Sequence, residues 1–79
     1  MEKEQTNLQK LRIKKGLSQS QLAAKSGVTL RMVQSYEQRD RHIEGAKLDS
    51  LCSLALSLDC KIEDILDDKT LIEKFKLAK

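Results

Sequence analysis

Proline is absent from this chain, and glycine occupies only three of its 79 positions. Because Gly, Pro and low-complexity stretches mark linkers, their scarcity predicts one small domain without an internal linker. The only aromatic residues are one Tyr and one Phe. We therefore expect a core of Leu, Ile, Val and Ala, which suits packed helices.

The sequence also lacks the residue sets that catalysis and metal binding need. Its single histidine, His42, leaves no zinc ligand set, and Cys52 and Cys60 are predicted to be small buried hydrophobes. No Ser/His/Asp set, Cys/His pair or Gly-rich phosphate loop occurs. We therefore expect no enzyme activity, no metal and no cofactor.

No apolar run approaches the ~20 residues needed to cross a membrane. The first ten residues are too polar for a signal peptide, so the sequence predicts a cytoplasmic protein without membrane contact.

The charge is unevenly spread along the chain. Residues 1–47 hold ten Lys/Arg against five Asp/Glu, whereas residues 48–79 hold five against seven. The basic part indicates a surface that faces a polyanion, although ordinary solvated charge explains the same pattern.

Capping residues and apolar spacing predict five short helices and a tail. The predicted helices lie at about 7–15, between Ser18 and Gly27, at 30–37, at about 45–58, and around Ile62 to Leu66. Ser18 and Gln21 have the spacing of a capping box, and Thr29 is placed to cap the third helix. Thr70 and Glu73 repeat the capping-box spacing, so residues 68–79 are predicted to be a sixth helix or a frayed end.

The second and third helices are separated only by the turn at Gly27. Two short helices joined this tightly must cross closely, which requires a small residue on the first, and Ala23 is that residue. Val33 and Tyr36 then face the core, and the first turn of the third helix protrudes. A protruding helix N-terminus with polar side chains fits the DNA major groove. We interpret the break as a way of presenting the third helix to DNA.

Several motifs occur together in one order and spacing. They are Leu11-Arg12, Lys15 to Gln19, Leu22-Ala23, Ser26-Gly27-Val28 and Tyr36-Glu37-Gln38, followed later by LSLDCKIEDIL. This pattern resembles the Cro/lambda-repressor-like helix-turn-helix family of bacterial and phage regulators, also called the xenobiotic-response-element type. The resemblance covers about residues 7–67. It implies an all-α, compact five-helix DNA-binding domain at residues 1–67, with residues 68–79 as a tail.

The resemblance also implies roles for individual residues. The family's base-facing positions correspond to Thr29, Leu30, Arg31, Gln34 and Ser35. Gln19 corresponds to a phosphate contact that also supports the reading helix, and Arg12 and Glu37 to an ion pair between the first and third helices. From their charge and position, Arg39, Arg41 and His42 are further phosphate candidates, the alternative being a solvated loop. Arg39-Asp40 departs from the Gly that many members have soon after Tyr-Glu.

The expected function is that of a sequence-specific transcriptional regulator, a repressor, bound to double-stranded DNA as a homodimer on a pseudo-palindromic operator. Apolar residues at the C-terminal end are predicted to form the dimer contact, the alternative being a tail that folds back on its own domain; these residues are Leu66, Leu71, Ile72 and Phe75. Two other functions fit the same fold. One is an antitoxin or immunity-type module whose main partner is a protein, and the other is a non-specific DNA binder.

Overall fold

The computed structural model describes residues 5–77, apart from the side chains of residues 69, 75 and 76. Within this range the chain forms six α-helices, one short 3-10 turn and no strand. In chain order the elements are α1 Asn7–Lys14, α2 Gln19–Ser26, α3 Leu30–Glu37, the 3-10 turn Ile43–Gly45, α4 Leu48–Ser57, α5 Ile62–Ile65 and α6 Lys69–Leu77. None of the helices between residues 5 and 77 has the length and apolar character needed to span a bilayer.

The starts of the first three helices are set by local capping bonds. The Thr6 hydroxyl accepts a hydrogen bond from a first-turn N–H of α1, and the Thr29 hydroxyl does the same for α3. Ser18 and Gln21 form the predicted capping box. The Gln21 backbone N lies 3.0 Å from the Ser18 Oγ atom, and the Ser18 backbone N lies 2.8 Å from the Gln21 Oε1 atom. Each bond satisfies an N–H group that a helix start would otherwise leave without a partner. The predicted bounds of α3 are therefore confirmed, and those of α1 are one residue too long.

Gly16 and Gly27 end α1 and α2 in the left-handed conformation, at φ 71° and 77°. Glycine reaches this region without the clash that a Cβ atom introduces, so both predicted helix ends are confirmed.

A single apolar cluster is shared by the five helices α1, α2, α3, α4 and α5. Its buried members come from every one of these helices and from the 3-10 turn: Leu8, Leu22, Val33, Tyr36, Ile43, Leu51, Leu54, Leu58, Ile65 and Leu66. Leu, Ile and Val dominate this cluster, as the composition predicts.

The predicted fourth helix, at about 45–58, is wrong at its start. Ile43 is buried as part of the 3-10 turn, and Ala46 and Lys47 are extended, with ψ of 153° and 146°. Burying Ile43 turns the chain inward, and the extended pair then redirects it, so α4 begins only at Leu48. The isolated apolar Ile43 thus belongs to a separate turn.

The start of the tail helix also differs from the prediction. The side chain of Asp68, rather than that of Thr70, accepts the first-turn N–H groups of Thr70 and Leu71, at 3.0 and 3.2 Å. Carboxylates cap helices as hydroxyls do and add a favourable interaction with the helix dipole. The capping box predicted from Thr70 and Glu73 is therefore wrong, although the tail is helical as one alternative required.

Two residues predicted to form a dimer contact belong to the core of their own chain. Leu66 is 3% exposed, and Ile72 packs against the core cluster. Leu71 remains 38% exposed, and the side chain of Phe75 lies outside the described residues. The tail therefore folds back on the domain, at least as far as Ile72, which was the alternative prediction.

Candidate nucleic-acid interface

Helices α2 and α3 form two arms of a tight turn. Leu22 and Val33 are fully buried between the helices and the core, and Ala23 is half-buried against the same cluster. Tyr36 is 5% exposed, so the C-terminal half of α3 is held by apolar packing as predicted. The N-terminal turn of α3 projects beyond this packed region, because no buried side chain of α3 precedes Val33.

The predicted base-reading residues are graded in exposure along α3. Thr29, Leu30 and Arg31, at the start of α3, are exposed. Gln34 and Ser35, one turn later, are half-buried. Leu30 is 38% exposed. The Thr29 hydroxyl accepts the Met32 N–H at 3.2 Å, which leaves its methyl group, its hydroxyl proton and one oxygen lone pair available to a ligand.

A polar network supports this face from behind. The Arg12 guanidinium donates to both Glu37 carboxylate oxygens, at 2.7 and 2.9 Å. Its third contact is to the Leu17 carbonyl at 2.8 Å. The Arg12 side chain is 12% exposed and the Glu37 side chain 2%, so the pair lies almost fully out of water. Charge-assisted, bidentate contacts of this kind fix orientation as well as distance.

Gln19 links the ion pair to the reading face. Its Nε2 donates to Glu37 at 3.1 Å, and its Oε1 lies 3.5 Å from Nε2 of Gln34, a long and weak contact. The two ends of the Gln19 amide therefore connect the buried carboxylate to a candidate base-reading side chain. Gln19 is also the first residue of α2, where helix N–H groups have no acceptor within the helix.

The segment after α3 carries the other predicted phosphate ligands. Arg39 has φ 63°, and its neighbour Asp40 donates its N–H back to the Ser35 carbonyl at 3.0 Å. This is the hydrogen-bond pattern that glycine usually supports at a helix end, so an arginine here is strained. Arg41 and His42 follow, and both are exposed.

A surface cleft of about 540 Å³ separates α3 from the start of α4. Met32 and Tyr36 line it from α3, and Arg41 and His42 line it from the segment after α3. Lys47 lines the same cleft, although the sequence prediction did not single it out. Lys47 comes just before an apolar helix, in a segment that already holds Arg39 and Arg41. This position is the sequence signal that could have identified Lys47 as a residue of the same basic surface.

The two cysteines are Cys52 on α4 and Cys60 in the segment that follows it. Both are free and half-buried, so the prediction that they are buried thiols holds only in part. Burial raises the pKa of the Cys60 thiol, the Asp64 carboxylate raises it further, and Lys15 opposes the rise. The part of the chain that the structure describes contains no cluster of three or more metal-ligating side chains.

Two short helices crossing at a left-handed glycine, with the second one projecting, define a helix-turn-helix DNA-binding domain. A family model described as helix-turn-helix matches residues 8–65, from α1 to the end of α5. The match covers well over half of the chain, and the chain belongs to the lambda-repressor-like helix-turn-helix family. No curated protein and no solved structure matches it.

Proposed function

We propose that this protein is a cytoplasmic, sequence-specific transcriptional repressor that inserts α3 into the DNA major groove. The observation that carries the proposal is the division of α3 into two parts. Its first turn, with Leu30 and Arg31, is exposed, whereas its last residue, Glu37, is buried in the ion pair with Arg12. A helix held rigidly at one end can present its other end to bases without losing much conformational freedom on binding.

The reading chemistry follows from the side chains on that first turn and the next. Arg31 can donate to guanine O6 and N7 together, and Gln34 can bond adenine N6 and N7. Leu30 is suited to a thymine methyl group, and Thr29 and Ser35 contribute supporting contacts. Gln34 also lies next to Gln19, with 3.5 Å between the Gln34 Nε2 and the Gln19 Oε1 atoms.

Phosphate contacts are proposed to fix the register of α3. Arg39, Arg41 and His42 lie on the segment directly after α3, where they would meet the DNA backbone beside the groove. Both ends of the Gln19 side chain are engaged within the protein, so its phosphate contact falls to its backbone N–H at the start of α2. Such contacts raise affinity for every DNA sequence nearly alike.

A homodimer on a pseudo-palindromic operator completes the proposal. Two copies related by a two-fold axis would place their α3 helices about one turn of DNA apart, roughly 34 Å. Each copy reads one half-site, and occupancy of the operator represses transcription by covering promoter DNA.

In vitro selection from random double-stranded DNA tests this function. The expected product is a pseudo-palindrome whose half-site centres are one helical turn apart, bound at least ~10³-fold more tightly than a scrambled sequence at the same salt. Salt-dependent binding without enrichment of any sequence would identify a non-specific DNA binder instead. Absence of DNA binding, together with copurification of a stoichiometric second protein, would favour the antitoxin or immunity-type module.

A further inference from the structure

An apolar stripe runs along the outer face of α4. Leu48, Cys52 and Leu56 are spaced by four residues, so they follow one another on a single face of the helix. Leu48 is 65% exposed and Leu56 is 79% exposed, while Cys52 between them is half-buried. The opposite face of α4 supplies core residues, so burial within the domain does not require this stripe.

The stripe is symmetric about its centre. If a second α4 lies antiparallel across the first at Cys52, Leu48 of each copy meets Leu56 of the other. Such an arrangement is isologous, because one patch serves both partners and closes the assembly at two copies.

From this symmetry we propose that the stripe Leu48, Cys52 and Leu56 is the two-fold interface through which a second copy of this chain docks. This inference rests on the proposed function, because it identifies the contact surface of the homodimer proposed there.

A cavity beside the stripe provides space for the incoming side chain. It measures about 290 Å³ and is lined by Cys52, Ala55, Leu56, Cys60 and Ile62, all apolar or weakly polar. It flanks the C-terminal half of the stripe, which is where the antiparallel arrangement brings Leu48 of the second copy. A leucine packed against these side chains loses part of its contact with water, and this burial of apolar surface favours association.

The charges at the two ends of α4 complement each other in the same arrangement. Lys47 is exposed directly before the helix, and Asp59 lies just after it with a side chain that is 94% exposed. Antiparallel packing brings Lys47 of one copy near Asp59 of the other, and near the negative end of the partner helix dipole. The present partner of Asp59 is Lys15 at 3.9 Å, a loose contact that leaves the carboxylate available.

The N-terminal end of the stripe lies close to the cleft beside α3. Leu48 follows Lys47, which lines the cleft next to α3 together with Arg41. One ten-residue helix per copy makes a contact smaller than the ~1,200 Å² of stable complexes, so we expect weak association in solution that DNA strengthens.

Sedimentation velocity of the full chain, without DNA and from micromolar to millimolar concentration, tests the interface. The parent is expected to show a monomer–dimer equilibrium, and Leu56→Lys to weaken it by at least ~10-fold. Ile13→Lys is the matched control, because Ile13 is 49% exposed on α1 and lies off the stripe. Circular dichroism melts of both variants establish that they fold.

Charge reversal tests the antiparallel geometry. Lys47→Glu alone should weaken association, and adding Asp59→Lys should restore it. A short bis-maleimide should join two copies through Cys52 in a Cys60→Ser background, whereas the Cys52→Ser variant, which keeps Cys60, should stay uncrosslinked.

Several outcomes would overturn the interface. They are a parent that stays monomeric over the whole concentration range, a dimer that Leu56→Lys leaves intact, and crosslinking through Cys60 alone. Binding of a single half-site by Leu56→Lys separates this inference from the proposed function. If that variant binds the half-site normally, a failed dimer test refutes only the interface, whereas a dimer that selects no DNA sequence refutes only the function.

Discussion

Arg12 and Glu37 stand 25 positions apart in the chain and are joined by two nitrogen–oxygen contacts of 2.7 and 2.9 Å. The pair ties α1 to the last residue of α3. The position of the exposed first turn of α3 therefore depends on this ion pair as well as on apolar packing. Gln19 donates to the same carboxylate from α2. All three helices around the candidate reading surface therefore meet at Glu37.

Removing the carboxylate should cost much of the domain's stability. Glu37→Ala leaves the Arg12 charge nearly buried and without its partner, which typically costs ~3–5 kcal/mol. Urea unfolding of the variant and of Asp40→Ala, an exposed acidic control on the adjoining loop, measures the difference. Equal free energies of unfolding for Glu37→Ala and the parent would show that the pair contributes only surface electrostatics.

Arg31 and Arg41 should differ in what they contribute to DNA binding. Arg31→Ala is expected to cost ~1–3 kcal/mol on the selected operator and to relax preference at one base pair in each half-site. Arg41→Ala should weaken all sequences nearly alike and reduce the slope of log affinity against log salt concentration by about one for each half-site. Gln19→Ala keeps the backbone N–H proposed to contact phosphate, so we expect it to weaken binding only through loss of the amide contacts to Glu37 and Gln34.

A panel of single-base operator variants, titrated by fluorescence anisotropy at fixed salt, distinguishes these effects. If Arg31→Ala lowers every affinity by the same factor and leaves the ranking of the operator variants unchanged, Arg31 is a phosphate ligand and the assigned reading surface is wrong.

Replacing Arg39 by glycine should stabilise the fold while weakening DNA binding. The left-handed conformation at φ 63° costs an L-residue ~1–2 kcal/mol. The greater freedom of glycine in the unfolded chain offsets part of this, so we expect a net gain of about 0.5–1 kcal/mol, or a melting temperature higher by about 2–8 °C.

Arg41→Gly is the control for that substitution, because Arg41 is not among the residues with positive φ. It should lower the melting temperature or leave it unchanged, while weakening DNA binding in the same way as Arg39→Gly. A melting temperature that falls in Arg39→Gly would mean that contacts of the arginine side chain outweigh the backbone strain.

Glu44 should hold the connection between α5 and α6. One of its carboxylate oxygens accepts the N–H groups of Asp67 and Asp68, at 2.6 and 2.8 Å. Glu44→Ala leaves both N–H groups without this acceptor and should cost ~1–3 kcal/mol, concentrated in this connection. Amide hydrogen exchange should show faster exchange at these two positions.

Glu73→Ala, an exposed substitution on α6, is the control and should leave exchange at Asp67 and Asp68 unchanged. Unaltered protection in Glu44→Ala would show that Asn7, which donates to the Leu66 carbonyl and whose own N–H is accepted by the Asp67 carboxylate, is sufficient to hold the segment.

Features that depend on a few neighbouring residues could be predicted from the sequence. The capping box of Ser18 and Gln21, the cap at Thr29 and the helix end at Gly27 involve groups within four positions of each other. Their geometry follows from side-chain chemistry and local backbone sterics, whatever the rest of the chain does. The apolar spacing likewise indicated that Val33 and Tyr36 face inward. The partnership of Arg12 with Glu37 came from resemblance to a family, because no local rule joins residues so far apart.

The remaining features were decided by tertiary structure, since they depend on which distant groups come to lie together. Burial of Ile43 and the extended pair before Leu48 shortened the fourth helix, although its apolar spacing fitted a longer one. Leu66 and Ile72 found space against the core, which the sequence could not distinguish from an exposed interface. Leu48 and Leu56 stayed outside because the inner face of α4 was already filled by Leu51, Leu54 and Leu58. Periodicity identifies an apolar side chain, but only the packed chain determines whether a neighbour covers it.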